Sequence, residues 1–179
     1  MFANVQVKFH NLLEGSYNFN EKNLFIFHLY FNVLLSACGN TFDDAIKTAS
    51  EYKKIQFEVH DHNNLPSIEK IKEKLTPFLK ENFLETESAN RTIALSINVA
   101  KTKQVNINPE KIEFKVNDKS KNDVEIELTY SMNLVLTDVK NSKSKIKLEG
   151  TMDLEKINDQ WRIRYDNYNK EELLKLVDQ

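Results

Sequence analysis

Val124-Glu-Ile-Glu-Leu-Thr-Tyr-Ser-Met-Asn-Leu-Val-Leu136 is the stretch that decides the fold of this chain. Val124, Ile126, Leu128, Tyr130, Met132, Leu134 and Leu136 are apolar, and every residue between them except Val135 is polar. Side chains of a strand point alternately to opposite faces, so a period of two over this length predicts a strand with one covered and one wet face. That pattern belongs to antiparallel sheets, which tolerate water on one side.

The same period runs outward in both directions. Downstream, Ile146, Leu148, Gly150, Met152 and Leu154 form one row, and Trp161 and Ile163 start another. Upstream, Ile112, Phe114 and Val116 form a row, Val105 and Ile107 lead toward Pro109, and Ile93, Leu95, Ile97 and Val99 also alternate. The connections at 117–122, 140–143 and 158–159 are short and polar, as hairpin turns are. Gly150 interrupts an apolar row, where glycine marks a bend, a bulge or a close backbone approach.

Before Arg91 the period is helical. Phe42, Ala45, Ile46, Ala49 and Tyr52 share one stripe, with Asn40 or Thr41 as cap and Asp43 and Asp44 in the first turn. Ile55-Gln-Phe-Glu-Val59 reads as the end of that helix. His60-Asp-His-Asn-Asn64 is a polar turn, and Pro66 opens a second helix with Ile68, Ile71 and Leu75 on one face. Thr76-Pro77 reads as the cap and first residue of a short third helix that turns Phe78, Leu79 and Phe83 inward. A last amphipathic piece spans 171–177. Helices covering one face of an antiparallel sheet make the class α+β.

The N-terminal part reads differently. The apolar run from Leu24 to Ala37 ends in Leu35-Ser36-Ala37-Cys38, and Cys38 is the one cysteine of the 179 residues. A greasy segment of this length followed by small residues has the form of a secretory signal with its cut site. It falls short of the ~20 apolar residues that a membrane-spanning helix needs. Small residues directly before a lone cysteine resemble the lipobox of a bacterial lipoprotein. The resemblance implies that Cys38 carries the lipid, that 1–37 is a signal or pre-sequence, and that 38–41 is a short tether to an α+β domain at 42–179. The pattern has flaws: His28 and Asn32 interrupt the run, Glu21 cancels Lys22, and the 23 residues ahead of it are polar and long for an n-region. These flaws point to a start drawn upstream of the true one, or to a buried helix carrying an ordinary cysteine.

The order of elements carries a second resemblance. Helices come first, with a break at Leu75-Thr-Pro-Phe-Leu79. Long strands follow, ending in Gly150-Thr-Met-Asp-Leu-Glu-Lys156 and Trp161-Arg-Ile163. From Phe42 to about Tyr168 this resembles the nuclear transport factor two-like superfamily, and a cystatin-like domain is the nearest rival. The resemblance implies a curved sheet wrapped around helices into a cone. It also implies a set of functions too broad to choose among, including small enzymes, dimerising binding modules and secretion components.

Candidate chemistry is sparse. The roughly 140 residues from Cys38 onward are ample for one core. A net charge of −2 offers no general attraction for nucleic acid. One cysteine excludes an internal disulfide and cysteine-rich zinc sites. His60-Asp-His62 offers two imidazoles but no evident third ligand, so no metal site is assigned. No catalytic pair or cofactor motif is present. Tyr130 and Tyr165 are the hydroxyls expected to reach the interior, Asp153 is expected to face away from it, and Trp161 reads as a core anchor. Lys140, Lys143, Lys145 and Lys147 form a basic hairpin suited to anionic head groups or to protecting an edge. The expected function is a non-enzymatic binding or structural module on the outer face of the bacterial cytoplasmic membrane. It is held through Cys38, with a protein partner or second copy on the sheet face. The alternative is a small-ligand or enzymatic protein using the cone cavity.

Overall fold

The computed structural model describes residues 41–117 and 122–178. Helix α1 (Thr41–Phe57) is followed by α2 (Ile68–Leu75) and α3 (Glu81–Ala89). A 3-10 turn (Thr92–Ala94) then leads into α4 (Leu95–Lys103). Strands β1 (Val105–Val116), β2 (Glu125–Asp138), β3 (Lys143–Ile157) and β4 (Gln160–Tyr168) come next, and α5 (Glu171–Val177) closes the chain. The strands pair in sequence order as one antiparallel four-stranded sheet.

The decisive stretch behaves as its alternation requires. Ile126, Leu128, Tyr130, Met132, Leu134 and Leu136 are buried, and Val135 is the one residue of the opposite set that is buried with them. They face the helices together with Ile146, Leu148, Met152, Leu154, Trp161 and Ile163. Burying such side chains contributes about 1.5–3 kcal/mol each.

The turns explain the hairpins. Asn158 and Asp159 both have positive φ (50° and 61°), the two-residue geometry whose twist matches the strands it joins. At the β2–β3 turn Asp138 Oδ1 accepts from the amides of Lys140 and Ser142, and Asn141 adopts φ 61°. Both sheet edges are partly covered. Val59 exchanges backbone hydrogen bonds with Ile107 on β1, and the Phe78–Lys80 segment does so with Ile163 on β4. Blunting edges in this way protects them from pairing with other chains.

Two expectations are corrected. The alternating run Ile93 to Val99 is helical. It forms the 3-10 turn and α4, where Leu95, Ser96, Ile97, Val99 and Ala100 are all buried. A helix buried nearly all round shows no single stripe, so its apolar residues mimic a strand's period. Thr76-Pro77 does not open the third helix. Thr76 ends α2, Leu79 joins the edge of β4, and α3 starts at Glu81 after Lys80. The amide of Lys80 is bonded to Ile163, and this holds the segment extended.

Candidate functional site

Helix α1 lies across the covered face of the sheet, and its stripe includes two polar residues. At the helical spacing of Ala49, Tyr52, Gln56 and Phe57, Lys53 also points inward, and its side chain is 0 % exposed. Its ammonium meets Asp166 Oδ2 at 2.6 Å and Gln56 Oε1 at 3.0 Å. The Asp166 side chain is equally enclosed and accepts two further hydrogen bonds, from Tyr52 Oη at 3.1 Å and Tyr130 Oη at 2.9 Å.

Aromatic faces close the rest of the box. Lys53 Nζ sits 4.4 Å from the ring centre of Tyr130, 4.6 Å from that of Tyr168, 5.3 Å from Tyr52 and 5.4 Å from Phe57. All four lie within the ~6 Å over which a ring face attracts a cation. Phe57 meets Tyr168 edge-on at 5.6 Å, and Phe114 leans on Tyr130 at 5.9 Å. Ser96 Oγ donates to the carbonyl of Gln56 at 2.7 Å, tying α4 to α1 beside the box. The buried hydroxyl of Tyr168 has no hydrogen-bond partner among the described residues.

The electrostatics follow from enclosure. Burial pushes the Lys53 ammonium below its ordinary value, and the adjacent Asp166 carboxylate opposes that shift. Burial, reinforced by Asp166, raises the phenols of Tyr52, Tyr130 and Tyr168, so all three stay neutral. Glu87, on α3, is raised mainly by burial, with Thr92 opposing. Lys53 and Asp166 are thus hydrogen-bonded on both sides and shielded from water, the condition under which a buried ion pair is tolerated.

The sequence does not announce this box. Lys53 and Gln56 fit the helical stripe by spacing, but residue type argues against burial. Asp166 is hidden by a register shift in β4. Leu154 pairs with Ile163, yet Asp153 pairs with Tyr165, so Arg164 is an extra residue and the phase of the strand flips. Tyr165, expected inside, is therefore outside and half exposed, while Asp166 and Tyr168 turn in. Tyr130 reaches the interior and Trp161 is a core residue, as expected. Asp153 faces away from the core, 3.8 Å from Arg164, which also pairs with Glu125 at 3.1 Å.

The other candidates do not converge. His60 is exposed beside Glu58 at 3.4 Å, whereas His62 Nδ1 lies 2.9 Å from Asn106 Oδ1. No group of three metal-ligating side chains occurs among the described residues. Lys140, Lys143, Lys145 and Lys147 are exposed, and Lys147 pairs with Glu149 at 2.5 Å. Cys38 lies outside the described residues, as does the expected pre-sequence. No helix among the described residues is long and apolar enough to cross a membrane. The described grooves are open surface features. One of about 560 Å³ runs past Leu79, Lys80, Asn82 and Arg162, and none of those described is lined by Lys53 or Asp166.

No protein-family model matches the chain, and no curated protein matches it. Solved structures share its fold. An IcmL-like type IV secretion system protein from Legionella pneumophila covers 68% of this chain with 87% of its own, at 9% identity and a TM-score of 0.54. A periplasmic fragment of TraM covers 71% with 96% of its own, at 12% identity and a TM-score of 0.51. At such identities the likeness is one of fold. The domain is an α+β protein of the nuclear transport factor two-like fold, with helices packed on one face of an open, curved antiparallel sheet.

Proposed function

We propose that this chain is a cell-envelope lipoprotein, held by lipid on Cys38, whose α+β domain acts on the extracytoplasmic face as a non-enzymatic binding or structural module. One observation carries the reading: Leu35-Ser36-Ala37-Cys38 closes an apolar run, and α1 starts three residues later at Thr41. Two acyl chains hold a protein stably where one is marginal, at about 0.8 kcal/mol per buried methylene. Three residues span at most about 10 Å, so the anchor would keep the domain close to the bilayer.

The interior supports a binding module over a cavity enzyme. Inside the domain Lys53, Gln56, Asp166, Tyr52 and Tyr130 are bonded to one another, and Leu128, Met132, Leu134, Leu148, Met152 and Leu154 fill the same covered face of the sheet. Partner contacts then belong to the surface, where the wet face of the sheet is open to another protein or a second copy. The periplasmic TraM fragment and the IcmL-like secretion protein, which share this fold, are consistent with an envelope setting.

Intact-mass analysis of the protein extracted from its native membrane tests the anchor. The expected species begins at Cys38 and carries a lipid adduct, and Cys38→Ala accumulates as unprocessed precursor. Unchanged mobility of the variant, with the wild-type chain free of lipid, overturns the reading.

A further inference from the structure

The box around the Lys53 ammonium has the parts of a ligand site with its ligand covalently attached. Two oxygens accept from the ammonium, Asp166 Oδ2 at 2.6 Å and Gln56 Oε1 at 3.0 Å, and four ring faces surround it. A surface ion pair needs none of this enclosure. The acceptor is also held independently of the lysine, because Tyr52 and Tyr130 each donate to Asp166. Tyr130 is in turn seated against Gly150, its neighbour across the β2–β3 pair, which has no side chain to displace the ring. Removing the lysine side chain therefore leaves the carboxylate held by two phenols and the aromatic walls around it.

We propose that the cone contains a binding site for a primary alkylammonium group, that its resident occupant is the chain's own Lys53, and that it accepts a free primary ammonium once that side chain is truncated. The selectivity follows from the donors. A primary ammonium supplies N–H groups to Asp166 and Gln56 and a charge to the rings, whereas an alcohol supplies no charge and a quaternary ammonium no N–H. The inference is independent of the lipid anchor.

Lys53→Ala removes the side-chain atoms beyond Cβ, and n-propylammonium restores them. In the full chain, the variant should melt below the wild type. n-Propylammonium chloride should raise its Tm saturably, by about 4 °C at a concentration about tenfold above its Kd. Sodium chloride at equal ionic strength, n-propanol and tetramethylammonium should not, and the wild type should not respond. Asp166→Asn added to Lys53→Ala should abolish the response. If Lys53→Ala is unfolded, n-propylammonium should restore its far-ultraviolet circular dichroism. Lys53→Met, which fills the volume without charge, should fold and stay insensitive. The proposal is overturned by equal rescue with n-propanol, by rescue that persists without the Asp166 carboxylate, or by no response from Lys53→Ala whether folded or unfolded.

Discussion

Gly150 sits where a strand and a ring come closer than a side chain allows. A Cβ at this position would lie 2.3 Å from the carbonyl oxygen of Asn167 on β4, and 2.8 Å from the Tyr130 hydroxyl. The first of these is backbone and cannot swing aside, so Gly150→Ala must push β4 away or lift Tyr130 off Asp166. Overpacking of this kind costs about 1–3 kcal/mol. Thermal melts of the variant should show a matching fall in Tm, and the change should be non-additive with Tyr130→Phe, since both act on one hydrogen bond. Asp166→Asn should be worse. It leaves the Lys53 charge buried without its counter-ion, for which a loss of about 3–5 kcal/mol is expected by urea denaturation. A smaller loss for Lys53→Met than for Asp166→Asn would fit, because a neutral side chain of similar size leaves only a hydrogen-bonded carboxylate. Equal and negligible losses for both would show that the pair is solvated.

Among the elements, α4 shows how far local pattern reaches. Its residues alternate like a strand, yet Ile93, Leu95, Ile97 and Val99 are buried in a 3-10 turn and a helix, because neighbours surround the segment on most sides. The helix stops at Gln104, which takes the left-handed conformation (φ 52°, ψ 51°) and turns the chain into β1. An L-residue pays about 1–2 kcal/mol there and glycine does not. Gln104→Gly should therefore raise the urea midpoint by roughly 1 kcal/mol in stability, with an unchanged m-value. A fall in the midpoint would mean that the entropy lost in ordering glycine outweighs the relief of strain. Strands β2 and β3 were legible from alternation alone, since each has one wet face. The phase of β4 was not, because one extra residue at Arg164 inverts which side chains face in. That single bulge exchanges Tyr165 for Asp166 at the interior.

At the scale of the whole molecule, the box makes stability depend on alkaline pH. Tyr52, Tyr130 and Tyr168 are held above their ordinary value of 10.0, chiefly by burial. Above that pH the unfolded chain releases phenol protons that the folded one retains, so their contribution is complete below 10 and is lost as pH rises beyond it. Lys53 runs the other way: with its folded value lowered from 10.5, the unfolded chain binds the extra proton and stability gains as pH rises toward that value. Three phenols against one ammonium predict a net loss beyond pH 10. A titration of phenolate absorbance should show part of the signal from the six tyrosines appearing only with cooperative unfolding. Smooth titration of all of them without loss of circular dichroism would refute it. The α+β class, the rows of β2 and β3, their covered face and the core role of Trp161 are written in local pattern, because side-chain period and hydropathy act over neighbouring residues. So is the Cys38 motif. Long-range packing alone makes α4 a helix, turns Tyr165 outward and brings Lys53 and Asp166 together between α1 and the sheet. These two residues are 113 positions apart, and a buried charge is acceptable only when a distant partner is already in place to receive it.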